Sequence, residues 1–202
     1  MKRRASTSLN MSAGMRRGII LVAIMSAAIP AIAQNANTPN NDRRATLERL
    51  LSSLKSAPSE EIAAPLEQQI RELWLNAGTP AVTLLMSRGL REMKAEAKQD
   101  AIEDFSAAIT LDPSLAEAYH QRAIARFASG DTPGAIADLQ STLQHEPRSF
   151  AAFQTLSAIA ETRKDWKGAY EAWQKVLEID PKTPGGQERL KDLRRHALGE
   201  EA

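Results

Sequence analysis

Apolar residues recur at helical spacing along the chain from residue 42 onward. A first stripe recurs three or four residues apart, as on one face of an α-helix: Leu47, Leu50, Leu51 and Leu54. A second stripe runs from Ile62 to Trp74. The pattern predicts a helical hairpin over residues 42–80. Pro65 lies inside the second stripe, so the second helix is expected either to begin near this proline or to kink there, because proline lacks the backbone N–H.

From residue 82 the pattern becomes periodic. Three prolines recur every 34 residues: Pro113, Pro147 and Pro181. They divide the chain into blocks 82–115, 116–149 and 150–183, each with two helical stretches. Small residues stand at the eighth and twentieth positions and larger ones at the twenty-fourth: Gly89, Ala123 and Ser157; Ala101, Ala135 and Ala169; Phe105, Leu139 and Trp173. Small residues let the two helices approach, and the proline ends the second helix. Because one such hairpin cannot bury its own apolar face, the blocks predict a stacked solenoid.

This helix–turn–helix unit resembles the tetratricopeptide repeat (TPR). The resemblance covers residues 82–183 and implies an all-α fold, an α-α superhelix that forms a right-handed TPR solenoid of three hairpins. Residues 42–80 are then a degenerate N-terminal hairpin, and residues 184–202 a C-terminal capping helix or, alternatively, a free partner-binding helix. The phrase RELWLNAGTP, which leads into LLMSRGL, also resembles small exported TPR proteins of alphaproteobacteria.

Two features depart from the repeat pattern. The first block has KAEAKQD, with no strong helix breaker, where the other blocks have a clear turn, so a distorted continuous helix is an alternative there. In the second block, Arg122 and Arg126 replace residues that are usually apolar or aromatic. Either their aliphatic stems pack and their charged ends reach solvent, or they pair with acidic neighbours.

The first 33 residues have the pattern of a secretory signal peptide. Their only charged residues are basic: Lys2, Arg3, Arg4, Arg16 and Arg17. The apolar run Gly18–Ile29 follows, and the segment ends in Ala-Ile-Ala at Ala33. This run is short for a bilayer span, so we expect cleavage after Ala33, a periplasmic or secreted protein, and no stable membrane span after cleavage. The polar residues 34–41 are interpreted as a flexible linker.

Charge and cysteine content narrow the function. The formal net charge is +1, and removing the five basic residues of the signal leaves a mildly acidic chain. A partner nucleic acid is therefore not expected. The chain has no cysteine, which excludes disulfides, thiolate metal sites and cysteine nucleophiles.

The sequence does not suggest catalytic chemistry. The three histidines, His120, His145 and His196, are too far apart in sequence for two to share a metal from one helix face. His145 and the adjacent Glu146 diverge on a helix. We therefore predict no enzyme, no cofactor and no metal site, and keep a metal-dependent enzyme using His120 or His145 as the alternative.

The resemblance implies a binding surface instead. In TPR solenoids the second, fifth, ninth and twelfth residues of each block line the concave face. The predicted partner-binding residues are Met86, Leu90, Met93, Glu117, His120, Ile124, Phe127 and Gln154. Methionine adapts to varied partners, so a protein or peptide is the expected ligand. Alternatively, the hairpin 42–80 or a second copy of the chain covers this strip, and the protein is a homo-oligomeric structural subunit.

Overall fold

The architecture was taken from a computed structural model, which describes residues 39–199. In this range the chain forms a series of helices and no strand: α1 (Pro39–Lys55), α2 (Glu60–Leu75), α3 (Pro80–Lys94), α4 (Lys98–Leu111), α5 (Ala116–Ala128), α6 (Thr132–His145), α7 (Phe150–Thr162), α8 (Trp166–Ile179) and α9 (Gly186–Leu198). None of the described helices is both long and apolar enough to cross a bilayer. The predicted signal peptide lies outside the described residues, as does most of the predicted linker, since α1 already begins at Pro39.

The helices pair as antiparallel hairpins. We call α1–α2 the N-terminal hairpin, and α3–α4, α5–α6 and α7–α8 repeat hairpins 1, 2 and 3. The small residues predicted at the helix contacts are at the closest approach. In repeat hairpin 1, a Cβ placed on Gly89 would lie 2.6 Å from Cε1 of Phe105, which is fully buried. In repeat hairpin 3, the Ser157 hydroxyl donates to the carbonyl oxygen of Ala169 at 3.0 Å.

The three repeat hairpins turn at the same block position through a left-handed residue. The residue is Glu96 with φ 60°, Gly130 with φ 92° and Lys164 with φ 59°. The left-handed turn at Glu96 interrupts the helix between α3 and α4. The alternative of a continuous helix over residues 94–100 is therefore wrong. Asp131 and Asp165 then cap α6 and α8, accepting from backbone N–H groups at 2.9 and 3.0 Å.

The N-terminal hairpin folds back along the solenoid. Its buried residues share one core with repeat hairpin 3 and α9: Leu51, Leu54, Ala57, Ala63, Ile70 and Trp74 on one side, and Phe150, Ala151, Ala169, Trp173, Val176 and Leu193 on the other. The first and last hairpins of the chain are therefore in direct contact. α2 runs through Pro65 from Glu60, so it does not begin near this proline as one of the two interpretations expected.

α9 packs against α8 at the end of repeat hairpin 3. The indole N–H of Trp173 donates to the carbonyl oxygen of Gly186 at 2.8 Å. Leu193 is buried in the shared core, and Arg189 lies 4.5 Å from the ring centroid of Trp173. Because these contacts fix α9 against α8, it is not a free helix in this structure.

Candidate partner-binding groove

The first helices of the repeat hairpins, α3, α5 and α7, carry the predicted partner-binding residues. The structure divides these residues into two groups. Buried residues are Met86, Glu117 and His120. Half-buried residues are Leu90, Met93, Ile124, Phe127 and Gln154. Only the second group presents side-chain surface that a partner could contact.

The N-terminal hairpin covers the face near the start of α7. The ring of Trp74, on α2, lies 5.3 Å from that of Phe150. Arg71, also on α2, lies over the Phe150 ring with its guanidinium carbon 4.6 Å from the ring centroid. The same guanidinium donates to the side-chain oxygen of Gln154 at 2.9 Å. Gln154 is therefore occupied by a residue of this chain.

His120 belongs to a buried polar network. Its Nδ1 lies 3.3 Å from Oε1 of Glu117, and its Nε2 lies 3.1 Å from the hydroxyl of Thr155 on α7. Gln121 donates to the same oxygen of Glu117 at 2.6 Å. Because the Thr155 hydroxyl donates to the Ala151 carbonyl, it accepts from the imidazole N–H. These contacts tie α5 to α7, which gives His120 a structural role.

The remaining part of the face is apolar and accessible. Leu90 and Met93 lie on α3, packed against the core of repeat hairpin 1, and Phe127 packs against that of repeat hairpin 2. With Ile124 they form what we call the open strip: Leu90, Met93, Ile124 and Phe127. Half-buried methionine, leucine and phenylalanine side chains can add apolar contact without moving the backbone.

Arg122 and Arg126 pair with an acidic neighbour, as the second interpretation of the sequence expected. Asp138 on α6 is buried and accepts from Nε and Nη2 of Arg122 at 2.9 and 2.7 Å. Arg126 donates to the same carboxylate at 2.9 Å. Repeat hairpin 1 has an equivalent pair, in which the Arg88 hydrogen bond lowers the pKa of Asp104. Charged pairs thus fill the contact between the two helices in both hairpins.

Repeat hairpin 3 has no such charged pair among its described residues. Leu156, Ala160 and Ala172 occupy the positions held by Arg122, Arg126 and Asp138 in repeat hairpin 2. These shorter apolar side chains line an open cleft of about 360 Å³ between α6, α7 and α8. The replacement is visible in the sequence once the blocks are aligned, but an open cleft depends on how the hairpins stack, which the sequence pattern does not specify.

Polar contacts hold the N-terminal hairpin to the far end of the chain. Arg148 donates to both carboxylate oxygens of Glu48, at 2.7 and 2.8 Å. The hydroxyl of Thr183 donates to Glu67 at 2.8 Å, and the N–H of Gly185 to Glu60 at 3.3 Å. Sequence reasoning missed these pairs, since they join residues 100, 116 and 125 positions apart.

The described histidines do not form a metal centre. His145 stacks on Tyr119 with ring centroids 5.5 Å apart, and His196 stacks on Trp166 at 4.4 Å. Within residues 39–199, no three histidine, cysteine, aspartate or glutamate side chains are grouped so that they could hold a metal ion.

The comparisons with solved structures agree with this helical arrangement. The TPR domain of Sgt2 from Aspergillus fumigatus is 26% identical, matches 58% of this chain and 79% of its own, and has a TM-score of 0.53. MamA is 21% identical over 79% of this chain and 88% of its own, with a TM-score of 0.51. The protein has a TPR fold.

The comparison with known sequences found a relative that is named for the same repeat. The chain is 27% identical over 176 residues to a TPR repeat-containing protein of Rhizobium etli, an alphaproteobacterium, and the match covers 84% of this chain and 86% of the relative. A heat-shock cognate co-chaperone of Aspergillus fumigatus is 26% identical over 151 residues, 73% of this chain, but the match spans only 44% of that protein. No protein-family model matches the sequence. The resemblance to TPR proteins thus extends beyond residues 82–183.

Proposed function

We propose that this protein is a non-enzymatic scaffold or adaptor of the bacterial cell envelope that binds a peptide or protein segment along its concave face. The observation that carries the proposal is the open strip. It consists of apolar side chains on α3 and α5 that remain half-buried after the chain has folded. A TPR domain of Spaghetti with 19% identity and a TM-score of 0.55, matching 59% of this chain and 96% of its own, was solved bound to an HSP90 peptide, which supports a protein-interaction module of this fold.

The open strip suits an apolar segment better than a charged one. Its four side chains bring no formal charge, and methionine and phenylalanine offer flexible and rigid contact area side by side. Truncating an aromatic anchor in a protein interface costs about 2 kcal/mol or more, which is roughly a thirtyfold loss of affinity. Phe127 is the residue for which we expect the largest loss.

Binding should be tested with surface variants of the full protein. A pull-down from a periplasmic extract identifies candidate partners, and a purified candidate is then titrated against the wild type, Met93→Ala and Phe127→Ala. Leu84→Ala is the matched control, because Leu84 is an exposed residue of α3 that lies outside the open strip. Weaker binding by both strip variants with unchanged binding by the control supports the groove. Equal affinity in all four proteins would refute it.

Localisation and assembly need separate measurements. The envelope location rests on the basic and apolar pattern of residues 1–33. Mass spectrometry of the protein from fractionated cells should find a chain that begins at Gln34 in the periplasm, and an unprocessed cytoplasmic chain would contradict the location.

Light scattering should find a monomer at all concentrations if the strip binds a partner, whereas a stable dimer would favour the alternative of a self-assembling subunit.

A further inference from the structure

Two carboxyl groups are buried where the N-terminal hairpin rests on the end of α8. Asp180 is 0% exposed and Glu67, on α2, is 8% exposed. The N–H of Lys182 donates to Oδ1 of Asp180 at 3.2 Å. The other carboxyl oxygen of Asp180, Oδ2, has no hydrogen-bond donor among the described residues. A buried carboxylate with an unsatisfied oxygen is unfavourable, so this pair requires an explanation.

A shared proton satisfies both groups. One carboxyl must carry a hydrogen for the two to bond with each other, since two carboxylates can only accept. Burial, and then the hydrogen bond and charge of Glu67, raise the pKa of Asp180 to about 7. Burial alone would raise the pKa of Glu67, but its hydrogen bonds with Asp180, Thr183 and Arg71 lower it. These opposite shifts of the two pKa values favour the proton on Asp180.

Few groups around Asp180 could stabilise a negative charge on its carboxyl group. Arg71, on α2, donates to Glu67 at 3.1 Å and so stabilises the charge of that group. Glu60, at the start of α2, adds a further acidic group near the backbone of Gly185. The turn after α8 contributes Lys182, whose backbone N–H holds Asp180 while its side chain is exposed. Loss of the shared proton would therefore leave two carboxylates facing each other inside the interface.

We propose that the N-terminal hairpin is a lid over the concave face, and that the proton shared by Glu67 and Asp180 controls its closure. In the closed form, α2 covers Phe150 and engages Gln154. In the open form, both residues become accessible and the groove extends from the open strip to the start of α7. The proposal concerns the hairpin itself and does not depend on which partner binds.

The sign of the pH effect follows from the two states of Asp180. Opening exposes the carboxyl group and returns its pKa to about 4, the ordinary value for aspartate. Closure is then favoured at low pH and becomes weaker as the pH rises towards 7. The equilibrium constant for opening increases by up to about tenfold per pH unit in this range, and it becomes constant at higher pH. Since Leu54, Ile70 and Trp74 are also buried in this interface, the open form is a minor population.

Hydrogen exchange suits such a minor population, because it reports rare opening. Amide exchange of the full protein is followed by mass spectrometry from pH 5.5 to 7.5, with each rate divided by its intrinsic value. We expect the protection of α2 to fall by about twentyfold over this range while that of α4 stays constant. Asp180→Asn cannot ionise, and its amide can donate to Glu67, so the protection of its α2 should be independent of pH.

Two further variants make the test specific. Asp112→Asn changes the same position of block 82–115, where the carboxylate accepts from the N–H and the hydroxyl of Ser114, so it should behave as the wild type. Glu67→Gln removes the charge that opposes ionisation of Asp180 and should reduce the pH dependence. The proposal is overturned if Asp180→Asn and Glu67→Gln keep the wild-type profile. It is also overturned if α4 loses protection together with α2, because the pH effect would then be global unfolding.

Discussion

The charged network of repeat hairpin 2 can be replaced by the apolar residues that occupy the same positions in repeat hairpin 3. Asp138 is 3% exposed and accepts from both Arg122 and Arg126, so the Asp138→Ala variant removes the buried carboxylate that the two guanidinium groups share. The side chains of the arginines are 15% and 26% exposed, which lets water reach them only in part. Because breaking a buried ion pair from one side costs about 3–5 kcal/mol, we expect a loss of about 3 kcal/mol in the free energy of unfolding.

The triple variant Arg122→Leu, Arg126→Ala, Asp138→Ala gives repeat hairpin 2 the residues of repeat hairpin 3. It removes the charges together with their partner, so no charge remains buried without a counterion. Replacing a whole buried ionic network by apolar residues is often neutral. We therefore expect the triple variant to unfold within about 1 kcal/mol of the wild type, and to be more stable than Asp138→Ala alone.

Urea unfolding followed by circular dichroism measures these differences. Gln140→Ala is the control for a substitution to alanine in α6. It alters an exposed residue of this helix and should change the free energy of unfolding by less than about 0.5 kcal/mol. Comparable slopes against urea are required for the comparison. The reasoning is refuted if Asp138→Ala is as stable as the control, or if the triple variant is no more stable than Asp138→Ala.

Three further variants test the packing of the helices, each by urea unfolding. Gly89→Ala should lose about 1–2 kcal/mol, because the new methyl group would overlap the buried ring of Phe105, and a stability equal to the wild type would show that the ring can move. Lys164→Gly should gain about 0.5–1 kcal/mol, since its left-handed φ of 59° is strained for a residue with a side chain. Trp173→Phe should lose about 1–2 kcal/mol with the indole hydrogen bond to Gly186, and α9 amides should then exchange faster; unchanged exchange would contradict the capping role.

The repeat architecture could be predicted because the residues that determine it lie close together in the sequence. Each hairpin needs small residues where its helices cross and a proline where it ends, and both recur within 34 residues. The left-handed turn at Glu96 was not predictable, since glutamate rarely adopts that conformation. The turn lies where α3 folds back onto α4, and Gly130, at the same position in the next block, is a hint of it in the sequence.

The placement of the N-terminal hairpin could not be derived from the pattern. Its apolar stripes show that two helices must bury one face each, but any apolar surface would satisfy them. The N-terminal hairpin is held at repeat hairpin 3 by contacts between residues that are distant in sequence. Examples are the hydrogen bonds of Arg71 with Gln154 and of Glu67 with Thr183. For the same reason, the resemblance to the TPR implied that Met86, Glu117 and His120 line the concave side without revealing that they are buried.

These contacts connect the proposed groove with the proposed lid. When the lid is closed, a partner meets only the open strip on α3 and α5, so a short apolar segment can bind without disturbing α2. A longer segment that also reaches Phe150 must first displace α2 and therefore bears the cost of opening. The affinity of the longer segment should then rise with pH between 5.5 and 7.5, while that of the short one stays constant. Equal pH dependence for both lengths would mean that the strip and the lid act independently.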